Sequence, residues 1–381
     1  MKTHTSLTSA LLWVIALSSG IQTSHAFRQV SVQAQSPRLQ QEHFPLTQNA
    51  PTSSTSLEMS ATSSVIGAIR GGAIFGAATS AVTGALQSGP FGVLGVAAIA
   101  ASVVTPLTIY RQAYSFSVAY SLTFVALGLI LQNTFALTEG TVALKLCGAL
   151  VFYGARLAAH LLLREATVKS KREVIKSFDK TPRLKRIPFA ASIGLFYGFM
   201  GTPALYLCRS GSALTGTALS IAKGGVALAW FGAIVEAWTD AHKFWAKRGK
   251  DEAMDFTGPS TWWYGVSRHP NYFAEIVFWV GVLVSGLPAM VSPSVVTIGS
   301  AVAALCSVLG TFGILNTMLM ATKRLEGKQD EKYGGQIPFE EWKAKTSKLF
   351  PTKISLAMIL PISISVGLIC TLSNAVVSCL V

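Results

Sequence analysis

Four ionisable residues in the second half of the chain follow one another at helical spacing. Glu236, Asp240, Lys243 and Lys247 are separated by four, three and four residues, so on a helix they occupy one face. They lie at the end of an apolar segment, residues 217–238. Because an isolated charge inside a bilayer costs at least about 2.5 to 3.5 kcal/mol, such residues pair, line a wet cavity or bind a ligand. The pattern predicts a polar site where this helix leaves the apolar layer.

A second polar motif begins the next apolar segment some twenty residues later. Residues 267–275 read Ser-Arg-His-Pro-Asn-Tyr-Phe-Ala-Glu. Pro270 is tolerated at the start of a helix because its missing N–H would have no partner there. Backbone N–H groups at a helix start bind anions, and cationic side chains nearby strengthen that binding. The motif therefore predicts a helix start that could hold phosphates with Arg268, His269 and Asn271.

The composition indicates which elements must position these residues. Of 381 residues, 51% are hydrophobic and only 13% are charged, with a mean hydropathy of +0.48. A soluble globular chain carries about 25% charged residues, so the deficit indicates a surface that faces a lipid bilayer. The formal net charge of +14 does not indicate nucleic-acid binding, because the basic residues lie between apolar segments rather than on one folded face.

Nine apolar segments follow residue 64, and most reach the roughly 20 residues that a helix needs to cross the hydrocarbon layer. They predict an all-α polytopic bundle of seven to nine membrane-spanning helices. The first contains Arg70 and many small residues, and the seventh is short. The segments are 65–86, 91–109, 116–137, 141–163, 189–207, 217–238, 272–287, 294–321 and 354–379.

The distribution of positive charge gives an independent test of this topology. If all nine segments span, the loops 164–188, 239–271 and 322–353 lie on the same side, and they hold 22 of the 31 Lys and Arg residues. Such accumulation on one side is expected of a membrane protein. The polar motifs therefore fall on the side where the three long basic loops meet.

The N-terminal region has the composition of a targeting sequence. Residues 1–26 have a weakly basic start, a short apolar run and a small-residue end, which is typical of a cleavable signal peptide. Residues 27–64 are rich in Ser, Thr, Gln and Pro, as in a transit peptide. The combination resembles a bipartite plastid presequence and favours a plastid membrane, with the endoplasmic reticulum as the alternative. An extra helix at 65–90, a membrane domain at 91–352 and a C-terminal helix at 353–381 complete the predicted organisation.

The five cysteines suggest no metal site. Each lies in or at the end of an apolar stretch, and none has metal-ligand spacing. We interpret them as packing thiols.

The two polar motifs together resemble the steroid 5α-reductase C-terminal-domain family over about residues 91–352. The resemblance implies that the polar helix face and the Arg-His-Pro-Asn-Tyr…Glu segment bind NADPH, and that a closing segment in the third long loop covers the cofactor. The family usually has Gly where this chain has Ala274. The implied cofactor residues are Glu236, Asp240, Lys243, Lys247, Arg268, His269, Asn271, Tyr272, Glu275, Arg324, Glu326 and Tyr333.

An upstream segment resembles the family helix that supplies a tyrosine proton donor. Tyr153, Arg156, His160 and Arg164 lie on one broad face of an apolar helix. Reduction of an enone requires acid assistance at the carbonyl oxygen, which a phenol can provide, so Tyr153 is the predicted catalytic residue. The implied activity is NADPH-dependent reduction of a carbon–carbon double bond in an isoprenoid, sterol or fatty enone. The acidic carbonyl partner of the steroid enzymes has no counterpart here.

Two other functions are compatible with the motifs. Isoprenylcysteine and phospholipid methyltransferases share an Arg-His-Pro-x-Tyr…Glu core and use it for S-adenosylmethionine. A non-enzymatic membrane assembly factor could retain the same fold. Asn271, the Asp240 and Lys247 face and the long third loop favour NADPH. Oligomeric state and substrate identity cannot be read from the sequence.

Overall fold

A computed structural model describes residues 80–250, 255–291 and 297–353. The predicted signal peptide, the transit-peptide-like segment, most of the extra N-terminal helix and the C-terminal helix lie outside these ranges. Residues 80–87 are helical. The described part is all-helical apart from one isolated parallel bridge between Ser267 and Ser347, which confirms the predicted fold class.

Nine further α-helices follow in chain order. We label them α1 (Gly92–Tyr110), α2 (Val118–Thr134), α3 (Val142–Thr167), α4 (Lys169–Ser177), α5 (Ile187–Ser210), α6 (Gly216–Lys247), α7 (Pro270–Val291), α8 (Ile298–Tyr333) and α9 (Ile337–Lys345). Short 3₁₀ turns occupy Gln112–Phe116, Arg183–Arg186 and Trp262–Gly265.

Six of the described helices are long and apolar enough to cross a membrane: α1, α3, α5, α6, α7 and α8. The apolar helix α2 has 17 residues, which is at the short limit for a span. Counting it gives seven in the described ranges, the lower end of the predicted number. Helices α6 and α8 continue to Lys247 and Tyr333, so parts of the predicted basic loops are helical extensions.

Small residues let the spanning helices approach at backbone distance. Along the contact of α6 with α7, a Cβ atom on Gly225 would lie 2.3 Å from the Ser285 backbone nitrogen, and one on Gly281 would lie 2.4 Å from that of Ala229. Between lipid-solvated helices, where no hydrophobic driving force operates, such close packing supplies much of the association energy. This contact fixes the two helices that carry the two polar motifs.

Substitution of two adjacent glycines of α6 tests this packing. We expect Gly225→Ala to lower the thermal stability of the detergent-solubilised protein by about 1 to 3 kcal/mol through overpacking. A Cβ on Gly224 would meet nothing within 4 Å, so Gly224→Ala should be neutral or stabilising because Ala favours a helix interior by about 1 kcal/mol. Equal thermal-unfolding midpoints for the two variants would contradict the backbone contact.

Candidate functional site

The polar motifs converge where α3, α6 and α7 lie side by side. The Arg156 guanidinium of α3 is placed between two carboxylates of α6, with Nη2 2.6 Å from Glu236 Oε1 and Nη1 donating to Asp240 Oδ2 at 2.9 Å. Asn271, in the first turn of α7, donates from Nδ2 to Asp240 Oδ1 at 3.2 Å. All three ionised side chains are 13% exposed or less. The predicted face of α6 is therefore joined to the α7 motif through an arginine of α3.

A second hydrogen-bonded group lies deeper in the bundle, around the Glu275 carboxyl. The hydroxyls of Tyr120 and Tyr153 both contact Glu275 Oε1, at 2.8 and 2.9 Å, and lie 2.9 Å from each other. Trp279 Nε1 donates to the Tyr120 oxygen at 2.7 Å. Arg156 lies over the Tyr153 ring at 5.3 Å, so this group adjoins the ion-pair cluster.

Aromatic rings enclose Tyr153, the predicted catalytic residue. Its ring stacks on Phe278 with centroids 4.0 Å apart and an interplanar angle of 11°, and Trp279 meets it edge-on at 5.7 Å. Tyr153 is fully buried. Within the described ranges, the hydrogen-bond partners of its hydroxyl are Tyr120 and Glu275.

The Arg268 side chain holds the segment that follows α9. Nε and Nη2 donate to the Glu326 carboxylate of α8, the shortest contact being 2.6 Å, and Nη1 donates to the carbonyls of Lys343 and Thr346 at 3.0 and 2.6 Å. The Arg268 backbone N–H donates to Ser347 O at 2.9 Å. All three guanidinium nitrogens thus donate hydrogen bonds within the chain. Through them and its backbone N–H, Arg268 holds residues 343–347 against the start of α7.

We call the Arg268 contacts with Glu326 and with residues 343–347 the latch. His269 lies next to this latch, and one of its ring nitrogens has no hydrogen-bond partner. Its Nε2 lies 2.8 Å from Glu326 Oε1, and its ring stacks on Tyr272 at 5.9 Å. Burial lowers the pKa of His269, although the bond to Glu326 acts in the opposite direction. A neutral ring that donates from Nε2 leaves Nδ1 as a bare acceptor. Nδ1 is buried and has no hydrogen-bond partner.

Besides Arg156 Nη2, which is ion-paired with Glu236 Oε1, three more polar atoms of the cluster are buried without a hydrogen-bond partner: Glu236 Oε2, Asn271 Oδ1 and Arg156 Nε. Buried polar atoms of folded proteins are nearly always paired, so each exception requires an explanation such as an absent ligand or water. With His269 Nδ1, the cluster offers three acceptors and one donor.

Basic side chains lie at the ends of α3, α6 and α8 and at the start of α4. The Lys243 ammonium is 6.0 Å from the Tyr264 ring centroid, and that of Lys247 is 5.9 Å from the Tyr333 ring centroid. Neither lysine forms an ion pair with an acidic residue of the described ranges. Arg156 and Arg268, by contrast, are each paired with carboxylates.

The Lys171 side chain, at the start of α4, shows how dense this positive charge is. Part of the side chain is exposed. Even so, burial of its ammonium group and then the nearby cations Arg164, Lys328, Lys247 and Arg324 lower its pKa to about 8. Cations held close together attract a polyanion.

The structure separates the predicted residues into four groups. Glu236, Asp240 and Asn271 join the ion-pair cluster, and Glu275 joins Tyr153. Arg268, His269 and Glu326 form the latch. Tyr272, Lys243, Lys247 and Tyr333 lie around the basic end, and Arg324 adds to the charge near Lys171.

Sequence reasoning missed Tyr120, Trp279 and Lys171. Tyr120 and Trp279 carry a polar group on an aromatic ring inside apolar segments, which usually means that a buried partner exists. That signal identifies them as candidates without naming the partner. Nothing in the spacing of the basic loop distinguishes Lys171 from its neighbours.

The arrangement defines a polytopic helical membrane protein with a polar site at one border of the bundle. Residues 108–346 match the family described as Protein of unknown function (DUF1295). The match covers more than half of the 381 residues, so the chain belongs to this family. Comparisons with curated proteins and with solved structures find no match.

Loss of the latch should destabilise the protein. Because the Arg268–Glu326 pair is only 10% and 13% exposed, we expect Arg268→Gln to cost about 3 to 5 kcal/mol by leaving Glu326 without its cation. The melting temperature in detergent should fall, and limited proteolysis should cut residues 343–350 faster. The matched control is Lys345→Gln, which removes a pair that is 75% and 63% exposed and should change stability by less than about 1 kcal/mol. Equal melting temperatures for both variants would count against the latch.

Proposed function

We propose that this protein is a membrane-embedded, NADPH-dependent reductase of a carbon–carbon double bond in a lipid-like enone. The observation that carries the proposal is the position of four buried, unpaired polar atoms beside Lys243 and Lys247, which form no ion pair with an acidic residue of the described ranges. A nucleotide cofactor presents hydroxyl and amide groups for the first set and phosphates for the second. The resemblance of the two polar motifs to the steroid 5α-reductase family supports the same cofactor.

The residues present fit a dinucleotide, with roles that differ in part from those implied by the resemblance. Every guanidinium nitrogen of Arg268 already donates within the chain, so we assign it to holding the closing segment. Lys243 and Lys247, with Lys171 and Arg324 nearby, would hold the phosphates. Asn271 Oδ1 and His269 Nδ1 would accept hydrogen bonds from the rest of the cofactor.

Bound NADPH would supply the hydride, and the chain would supply the acid. We propose Tyr153 as that acid, because its O–H is the polar group that α3 places beside Glu275 and Tyr120. Since Tyr120 lies within hydrogen-bond distance of both Tyr153 and Glu275, it could pass a proton to Tyr153 after transfer. The packing around Tyr153 means that a substrate must displace side chains such as Phe278 to reach its hydroxyl.

The expected substrate is apolar and enters from the bilayer. The site lies among spanning helices, and the enclosure of Tyr153 is largely aromatic, with polar groups supplied by Tyr120, Glu275, Trp279 and the Arg156 guanidinium over its ring. Isoprenoid, sterol and fatty enones all fit this description. A plastid membrane remains the favoured location on the N-terminal sequence, with the endoplasmic reticulum as the alternative.

Ligand-induced thermal stabilisation tests the cofactor assignment. We expect NADPH to raise the melting temperature of the detergent-solubilised protein in proportion to the logarithm of its concentration, and to do so less at high salt. Lys247→Ala should weaken binding by about tenfold or more, as loss of one phosphate contact of 1.5 to 3 kcal/mol implies.

The matched control for Lys247→Ala is Lys223→Ala. Lys223 carries the same charge on the same helix, about 36 Å away at 1.5 Å per residue, and should leave the NADPH affinity unchanged. Stabilisation by S-adenosylmethionine instead of NADPH would overturn the reductase assignment in favour of a methyltransferase. Stabilisation by neither ligand would favour a non-enzymatic role.

The affinity for NADPH should also fall as the pH rises through about 8. Lys171, with its pKa of about 8, is charged below that pH and neutral above it, whereas the phosphates already carry their full charge because their highest pKa is about 6. In Lys171→Arg the guanidinium remains charged at alkaline pH. A titration between pH 7 and 9 should therefore show a smaller decline for this variant, and identical declines would exclude Lys171 from the site.

A further inference from the structure

Two buried thiols meet across the contact between α3 and α5. Cys147 lies in the second turn of α3 and Cys208 in the last turn of α5, and their sulfur atoms are 3.8 Å apart. Neither is in a disulfide. The third described cysteine, Cys306 of α8, is partly exposed and has no thiol partner in the described ranges. Among the described cysteines, Cys147 and Cys208 are therefore the pair whose sulfur atoms are in contact.

The position of the dithiol in the membrane bears on its chemistry. The start of α3 and the end of α5 lie on the side opposite the three basic loops, since both helices have their other ends in loop 164–188. Basic loops stay on the side from which a membrane protein is inserted, and the opposite side is the translocated one. In the secretory pathway, the translocated face borders compartments in which disulfides form and persist.

We infer that Cys147 and Cys208 form a redox-active pair that closes to an interhelical disulfide. A disulfide requires an S–S distance of about 2.05 Å, so the two sulfurs must approach by roughly 1.8 Å. The α3 backbone is fixed at this level, because a Cβ on Gly128 of α2 would lie 2.8 Å from the Cys147 carbonyl oxygen. Cys208 must therefore make most of this movement, and α5 ends only two residues after it.

The oxidant in this proposal is hydrogen peroxide, and because Cys208 is only 3% exposed, the end of α5 must open for the peroxide to reach its sulfur. Arg209 and Ser210, the next residues along the chain, line a groove of about 600 Å³. The Cys208 sulfur attacks one peroxide oxygen and the O–O bond breaks, giving a sulfenic acid and one water. The Cys147 sulfur then attacks the sulfenic sulfur, the S–S bond forms, and the S–O bond breaks to release a second water. The two thiols lose two electrons and two protons to the peroxide.

Closure would join α3 to α5 near the candidate site. Tyr153 and Arg156 follow Cys147 on α3 by six and nine residues, so the crosslink would restrain the helix that carries the proposed acid and the central arginine. The inference rests on the thiol geometry and holds whichever cofactor the protein binds.

Oxidation of the full-length protein in detergent or nanodiscs tests the inference. The variant Cys306→Ser/Cys370→Ser/Cys379→Ser retains only the pair. After hydrogen peroxide treatment, alkylation of remaining thiols under denaturing conditions and digestion, we expect mass spectrometry to find the Cys147 and Cys208 peptides linked in most molecules. Dithiothreitol should reverse the link, and the oxidised form should have the higher melting temperature.

A second variant controls for non-specific oxidation. Cys147→Ser/Cys370→Ser/Cys379→Ser retains Cys208 and Cys306, and it should give no intramolecular link at the same peroxide dose. Peptide mapping of the oxidised wild-type chain, which distinguishes every possible pairing, should show Cys147–Cys208 as the dominant link even if a variant folds poorly. The inference fails if Cys147 and Cys208 remain fully alkylated at a dose that oxidises the denatured chain, or if the control links equally well.

Discussion

The Arg156 guanidinium holds together the polar part of this membrane protein. It lies between Glu236 and Asp240, one turn apart on α6, and both contacts are shorter than 3 Å. A carboxylate left alone in the bundle would cost several kcal/mol, so the arginine makes it possible to bury both acids. Asp240 in turn receives Asn271 of α7. One cation of α3 thereby sets the relative positions of three helices at the site.

The need to neutralise buried charge explains where the acidic and basic side chains lie within the site. Acidic groups in the apolar interior are paired with arginine or tyrosine, as at Glu236, Asp240 and Glu275. The latch is neutralised in the same way by Arg268 and Glu326. Lys243 and Lys247 of α6 form no ion pair with an acidic residue of the described ranges, which leaves a positive region beside buried acceptors. A ligand carrying several negative charges and hydrogen-bond donors would complement both.

Close helix packing makes these polar contacts possible. The glycines of α6 and α7 bring the two backbones together, so the end of α6 and the start of α7 face each other within hydrogen-bond range. Arg268 and Ser267, which directly precede α7, donate hydrogen bonds to backbone carbonyls between Lys343 and Leu349. This segment is therefore held largely through main-chain acceptors, with Ser347 Oγ of the segment donating in turn to Val266 O.

The sequence by itself determined the membrane-spanning helices, the side of the bilayer that carries the basic loops, and the shared face of Glu236 and Asp240. These follow from hydropathy and from a period of 3.6 residues, which act over neighbouring positions. Only the tertiary structure decided which distant side chains contact one another. Trp279 meets Tyr120 across 159 residues, Arg268 meets Glu326 across 58, and Cys147 meets Cys208 across 61. Such pairings depend on which helix faces pack together, and no local pattern encodes that choice.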